Sequence, residues 1–132
     1  LSLDVGTKTI GIARVMDGTR LAAPHSTLAR KGVKKDVARL SALCTQLRAT
    51  AVVVGLPYEL DGAEGRSARL ARQVGDALGE ASGLPIHYQD ERYSTVEASR
   101  RLYEAGHSSR DQKRIIDQAA AAVILEDWLR KS

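Results

Sequence analysis

The chain has 132 residues, of which 43% are hydrophobic and 27% charged, and it carries a net charge of +4. That is enough for one domain with a real core, and no apolar run is long enough to span a bilayer. A single cysteine excludes an internal disulfide, and the scarcity of aromatics (no Phe, one Trp, four Tyr) argues against a base-stacking platform for single strands.

The chain opens at Leu1 without a methionine, so a few preceding residues are expected to be missing and the first strand to start earlier; no signal peptide is recognised. Two strands, near 1–5 and 9–16, flank a short glycine loop. Asp17-Gly18 then signals a two-residue hairpin into a third strand near 20–27. A helix over about 34–48 presents Val37, Leu40, Cys44 and Leu47 as its inward stripe, which makes Cys44 a buried thiol in a reducing cytoplasm. Ala51-Val52-Val53-Val54-Gly55 reads as a central strand covered on both faces. A loop over 55–65 leads into a helix ending near Ala81, with Leu70, Val74 and Leu78 facing in, closed by Gly83. A strand near 86–89 follows Pro85. Ser94-Thr95-Val96-Glu97 and Ser109-Arg110-Asp111-Gln112 are capping boxes, opening one helix to Gly106 and a long last one to about Arg130. The order βββ-α-β-α-β-α-α implies a mixed α/β sheet, strand order 3-2-1-4-5, with helices on both faces.

Three acidic positions stand out. Asp4 ends an apolar strand, with Leu1, Leu3 and Val5 on the opposite face. It serves there either as a turn former or as one member of a site, depending on whether other carboxylates converge on it. Asp90-Glu91 lies where a later strand ends, and the carboxyl ends of parallel strands are where α/β sheets gather ligands. Only one of the two faces Asp4, and periodicity leaves open which. Asp117, on the last helix, has Ala120, Ala121 and Ile124 three, four and seven positions on, a small apolar face that lets the helix pack close to the sheet. Carboxylates sharing one dry site need a cation, and Mg²⁺ or Mn²⁺ suits oxygen donors. Two such ions about 4 Å apart activate a water and stabilise the leaving oxygen of a phosphodiester. Basic clusters at Arg30, Lys31, Lys34 and Lys35, and at Arg100, Arg101, His107, Arg110, Lys113 and Arg114, suit a polyanionic partner.

Asp4-Val5-Gly6-Thr7-Lys8 with Gly11-Ile12-Ala13, Val54-Gly55-Leu56-Pro57 with Asp61-Gly62, Asp90-Glu91-Arg92-Tyr93-Ser94-Thr95, and Asp117 with Ala119-Ala120 and Ile124-Leu125 together resemble the YqgF (RuvX) family. These are RNase H-like proteins described as Holliday junction resolvases and as pre-16S rRNA nucleases. The resemblance covers essentially the whole chain and implies a single RNase H-like nuclease domain over 1–132, three-layered. It carries catalytic and metal-ligand roles onto Asp4, Glu91 and Asp117, settling Asp90 against Glu91 in favour of Glu91. It further implies a Mg²⁺- or Mn²⁺-dependent endonuclease, with two ions, acting on structured nucleic acid. Precursor 16S rRNA is favoured over a four-way DNA junction, in the setting of a ribosomal precursor particle. Lys8, Arg92, Lys113 and Arg114 are the expected phosphate contacts. Many RNase H-like nucleases have a fourth acid; Asp111 and Asp127 are poor substitutes, and Tyr58-Glu59-Leu60 is the least family-like stretch. The rivals are a catalytically idle nucleic-acid-binding assembly factor and a phosphate-binding ATPase, which shares the Asp-x-Gly-Thr opening but needs a second domain.

Overall fold

Alternation in the first strands decides the architecture. β1 (Ser2–Val5) pairs antiparallel with β2 (Thr9–Val15), which pairs antiparallel with β3 (Ala22–Ala29). After helix α1 (Val33–Gln46), β4 (Val52–Leu56) returns parallel to β1. Helix α2 (Arg66–Ser82) then leads to β5 (Ile86–Asp90), parallel to β4, and the last described helix is α3 (Arg110–Lys131). The sheet order is β3-β2-β1-β4-β5, as the sequence predicts. The structure, a computed structural model, describes residues 1–16, 18–57, 65–90 and 110–131, with side chains of the last helix from Asp117 onward. The expected helix between Ser94 and Gly106 and the Tyr58–Leu60 stretch lie outside the described residues. No helix among the described residues is long and apolar enough to cross a membrane.

The two faces of the sheet are covered differently. Leu3, Val5, Ile10, Ile12, Val52, Val54 and Leu56 point to α1 and α2, where Leu40, Cys44, Val74 and Leu78 complete the main core. Each fully buried Leu, Ile or Val there contributes about 1.5–3 kcal/mol. Burial also pushes the Cys44 thiol above its ordinary pKa, which keeps it protonated. The opposite face is lined by smaller groups, Ala13 and Val53, against Ala120, Ala121, Ala122, Ile124 and Leu125 of α3. Short side chains on both partners let this helix lie close.

Two expectations change. The hairpin after β2 is wider than a two-residue turn: Met16 N–H donates to the Leu21 carbonyl at 2.9 Å and the Thr19 hydroxyl donates to the Met16 carbonyl at 2.8 Å. The turn therefore encloses 17–20, and β3 starts two residues later than Asp17-Gly18 suggests. Leu47 is the C-cap of α1 rather than part of its stripe, and the stripe instead contains a charge, Asp36, which is 0% exposed.

Asp36 is the partner of Arg30, so Arg30 does not belong to the solvated basic cluster in which the sequence places it. The Arg30 Nε donates to Asp36 Oδ2 at 2.6 Å, and the Lys31 N–H donates to Oδ1 at 2.9 Å. A second guanidinium nitrogen of Arg30 donates to the Gly6 carbonyl at 2.9 Å. One buried ion pair thus clamps the end of β3, the first turn of α1 and the loop that follows Asp4. Asp36→Ala is expected to cost about 3–5 kcal/mol in urea unfolding, because it leaves the Arg30 charge buried and alone. The paired change Arg30→Met with Asp36→Leu is expected to cost much less.

Candidate metal centre at the sheet edge

Asp4 is held opposite Gly11 by the β1–β2 register, which also pairs Ser2 with Ala13. Residues directly opposite in an antiparallel pair share a face, so Ser2, Asp4, Thr9, Gly11 and Ala13 all face the same way. That face is the α3 face. The Ser2 hydroxyl donates to the Ala121 carbonyl at 2.6 Å, and the Thr9 hydroxyl donates to Asp117 Oδ2 at 2.5 Å.

Gly11 sets the distance between the layers. A Cβ added there would stand 2.0 Å from the Asp117 carbonyl oxygen and 3.1 Å from its Cβ. Any side chain at this position would lift the helix off the strand; a glycine inside a strand commonly marks such an approach. Two strand steps separate Ser2 from Asp4, about 7 Å, and four helical residues separate Ala121 from Asp117, about 6 Å. The helix therefore passes Ser2 and reaches the level of Asp4 with Asp117. Asp4 is half-buried, whereas Asp117 is 8% exposed.

This geometry gathers two of the three expected carboxylates, Asp4 and Asp117, at the carboxyl end of β1. Glu91 and Arg92 lie outside the described residues, and Lys113 and Arg114 belong to α3 with side chains outside them. Among the described residues no group of three His, Cys, Asp or Glu side chains converges. Lys8 is exposed on the turn between Asp4 and Thr9. Asp90 has the parity of Tyr88, which packs against Gly75 of α2, and so belongs to the other face. His87 and Gln89 have the α3 parity: His87 stacks on Trp128 with ring centroids 5.1 Å apart, and Gln89 is 6% exposed. Asp127, a poor fourth acid by its spacing, is bonded to Arg130.

Thr9 is the site residue that sequence reasoning missed. Its signal was available, because alternation gives Thr9 the parity of Gly11 and antiparallel pairing gives Gly11 that of Asp4.

The donor set fits a hard divalent cation. Asp4 and Asp117 bring carboxylate oxygens to one face, the donors such an ion prefers, and the Thr9 hydroxyl that reaches Asp117 adds no charge of its own. Among the described residues the soft or imidazole ligands that would favour zinc are elsewhere: Cys44 is buried against the other face, His25 is exposed on β3, and His87 is stacked on Trp128.

A family model described as "RuvX: Holliday junction resolvase" matches residues 1–131. A protein of Anaeromyxobacter sp. (strain Fw109-5) named "Putative pre-16S rRNA nuclease" is 43% identical over 129 residues, spanning 98% of this chain and 94% of its own. One of the same name from Myxococcus xanthus (strain DK1622) is 43% identical over 130 residues, spanning 98% and 85%. Among solved structures, Thermus thermophilus RuvC aligns over 98% of this chain and 92% of its own, with TM-score 0.56 and 15% identity. The same enzyme in complex with a Holliday junction substrate aligns with TM-score 0.54 and 19% identity, over the same shares. At that identity the likeness is one of fold, the RNase H-like architecture of RuvC.

Thr9→Val removes the donor from a buried carboxylate while keeping the volume. It is expected to lower unfolding free energy by about 1–3 kcal/mol, with Thr9→Ser close to the parent, as read from denaturant melts.

Proposed function

The chain belongs to the RuvX family, and from that premise we propose that it is a divalent-metal-dependent endonuclease that hydrolyses phosphodiester bonds in structured nucleic acid. The substrate we favour is precursor 16S rRNA, processed in the cytoplasm during ribosome assembly, in line with the name its relatives carry. The observation that carries the reading is the seating of Asp117 against Gly11, opposite Asp4.

In this reading Asp4 and Asp117 would hold the metal with Glu91, the third carboxylate that the family resemblance assigns. When bound, Mg²⁺ or Mn²⁺, as a pair of ions, supplies an activated water and charge stabilisation for the leaving oxygen. The chain's own residues set the geometry. Thr9 fixes one oxygen of Asp117, and the other oxygen would be available to a bound cation. The Arg30 bond to the Gly6 carbonyl steadies the turn after Asp4. Lys8, Arg92, Lys113 and Arg114 neutralise the phosphates on either side of the scissile bond. Water attack then leaves a 5′-phosphate and a 3′-hydroxyl.

The test is cleavage of a transcript spanning the 5′ end of 16S rRNA with its leader, beside a four-way DNA junction, in Mn²⁺, Mg²⁺ or EDTA. The parent is expected to cut the transcript only with metal. Asp4→Asn and Asp117→Asn are expected to lose about 100-fold or more, the upper end of what even outer-shell changes cost. Cutting in EDTA, or an Asp4→Asn variant as active as the parent, would sink the mechanism. Cleavage of the junction alone would move the substrate to branched DNA. Tight binding without cutting in any metal would make the protein an idle assembly factor.

A further inference from the structure

We propose that Lys8, Lys31, Lys34 and Lys35 form a phosphate-binding strip that carries the nucleic-acid backbone from the candidate site across the sheet edge onto the start of α1. The proposal rests on the nuclease reading of the site and assigns it a binding surface.

Chain topology brings the four lysines together. Thr9 at the start of β2 pairs with Ala29 at the end of β3, and the Arg30 N–H donates to the Lys8 carbonyl at 2.9 Å. Lys8 therefore stands beside Arg30, about 4.8 Å away in the hydrogen-bonding direction, and Lys31 is the next residue along the chain. Lys34 and Lys35 follow in the first turn of α1, whose Asp36 is locked to Arg30 and to the Lys31 N–H. All four lysines are exposed, and none has an ion pair among the described residues.

The nearby acid cannot neutralise them. Asp36 is the sole acidic residue from position 18 to 57, and it is 0% exposed. Arg30 and Asp36 cancel each other in the interior, so the only acid between positions 18 and 57 offers the lysines no counter-charge at the surface. Helix electrostatics sharpens the point. Lysines in the first turn oppose the macrodipole, whose N-terminal end is itself positive, and no side chain caps α1 at Gly32. Such a placement works against stability, and a polyanion laid along the edge relieves it. No large exposed apolar side chain accompanies the lysines, since Met16 and Leu21, the large apolar residues exposed among the described ones, sit at the far end of the β2–β3 hairpin. The strip therefore fits a sugar-phosphate backbone rather than a membrane surface, which also asks for apolar insertion. It is continuous with the site, because Lys8 lies between Asp4 and Thr9 in the same turn.

The test is equilibrium binding in EDTA, so that nothing is cut, of a fluorescein-labelled RNA stem-loop and a DNA duplex with equal numbers of phosphates. The strip variant is Lys31→Gln with Lys34→Gln and Lys35→Gln. The control is Arg48→Gln with Lys131→Gln, exposed cations just past the C-terminal end of the same helix and at the last residue of α3. Between about 50 and 200 mM salt the strip variant should show a slope shallower by about 2.7 on duplex, so that the parent's advantage shrinks about 40-fold across that range. Its melting temperature should equal or exceed the parent's, since the substitutions relieve the helix end; a lower one would contradict that argument. Equal losses on RNA and DNA support recognition of phosphate alone, and a larger loss on RNA supports the strip with an RNA substrate. If the control loses as much per charge as the strip variant, generic charge accounts for binding and the strip falls. If the parent binds and cuts while the strip variant keeps its affinity and slope, the strip falls alone. If the parent binds neither probe, the strip falls together with the nuclease reading.

Discussion

The approach of α3 to β2 at Gly11 is the contact on which the rest of the site depends. A hydrogen atom in place of a side chain lets the backbone of Asp117 rest on the strand directly across from Asp4. The packing that brings the helix there is apolar and ordinary, Ala120, Ala121 and Ala122 against Ala13, with Ile124 and Leu125 against Val53. Its consequence is electrostatic. A carboxylate 8% exposed is delivered to the end of a strand that already ends in another, and the Thr9 hydroxyl orients it without neutralising it. Carboxylate oxygens brought to one face in this way are the donors that a hard divalent cation takes.

The opposite layer treats charge differently. Arg30 and Asp36 are also buried, yet they neutralise each other at 2.6 Å and use their remaining capacity on the Gly6 carbonyl and the Lys31 N–H. One end of the molecule therefore holds a satisfied pair that braces a turn, and beside it two carboxylates of the candidate site. The Gly6–Lys8 turn belongs to both, since Arg30 fixes its carbonyl from one side and Asp4 and Thr9 flank it in sequence. A rigid turn between a carboxylate and the donor that orients its partner is a direct way to hold ligands in place.

Much of this was legible in the sequence, and for physical reasons. The strand order follows from a meander and two crossovers, and Val52–Leu56 is buried throughout, as its apolar run with three successive valines implies. Asp117 was recognisable because its neighbours at three, four and seven positions are small or apolar, which no solvated helix face requires. Arg30 was misjudged because local composition places it among lysines, and only tertiary contact reveals that Asp36, six residues on, turns inward to meet it. The hairpin was misjudged because Asp-Gly is a strong turn signal, yet Thr19 bonds back to Met16 and widens the loop. The choice between Asp90 and Glu91 was beyond periodicity; the family resemblance made it in favour of Glu91, which lies outside the described residues. Tyr88 packs on α2, which places Asp90 on the face away from Asp4.

The central claim is that Asp4 and Asp117 ligate one shared cation site. Calorimetric titration of Mn²⁺ into the parent, Asp4→Asn, Asp117→Asn and the double variant tests it without reference to any substrate. A shared site requires that each single change remove most of the binding free energy and that the double change remove little more, a strongly non-additive cycle. Losses that add independently, or a single variant that binds Mn²⁺ as the parent does, would contradict it.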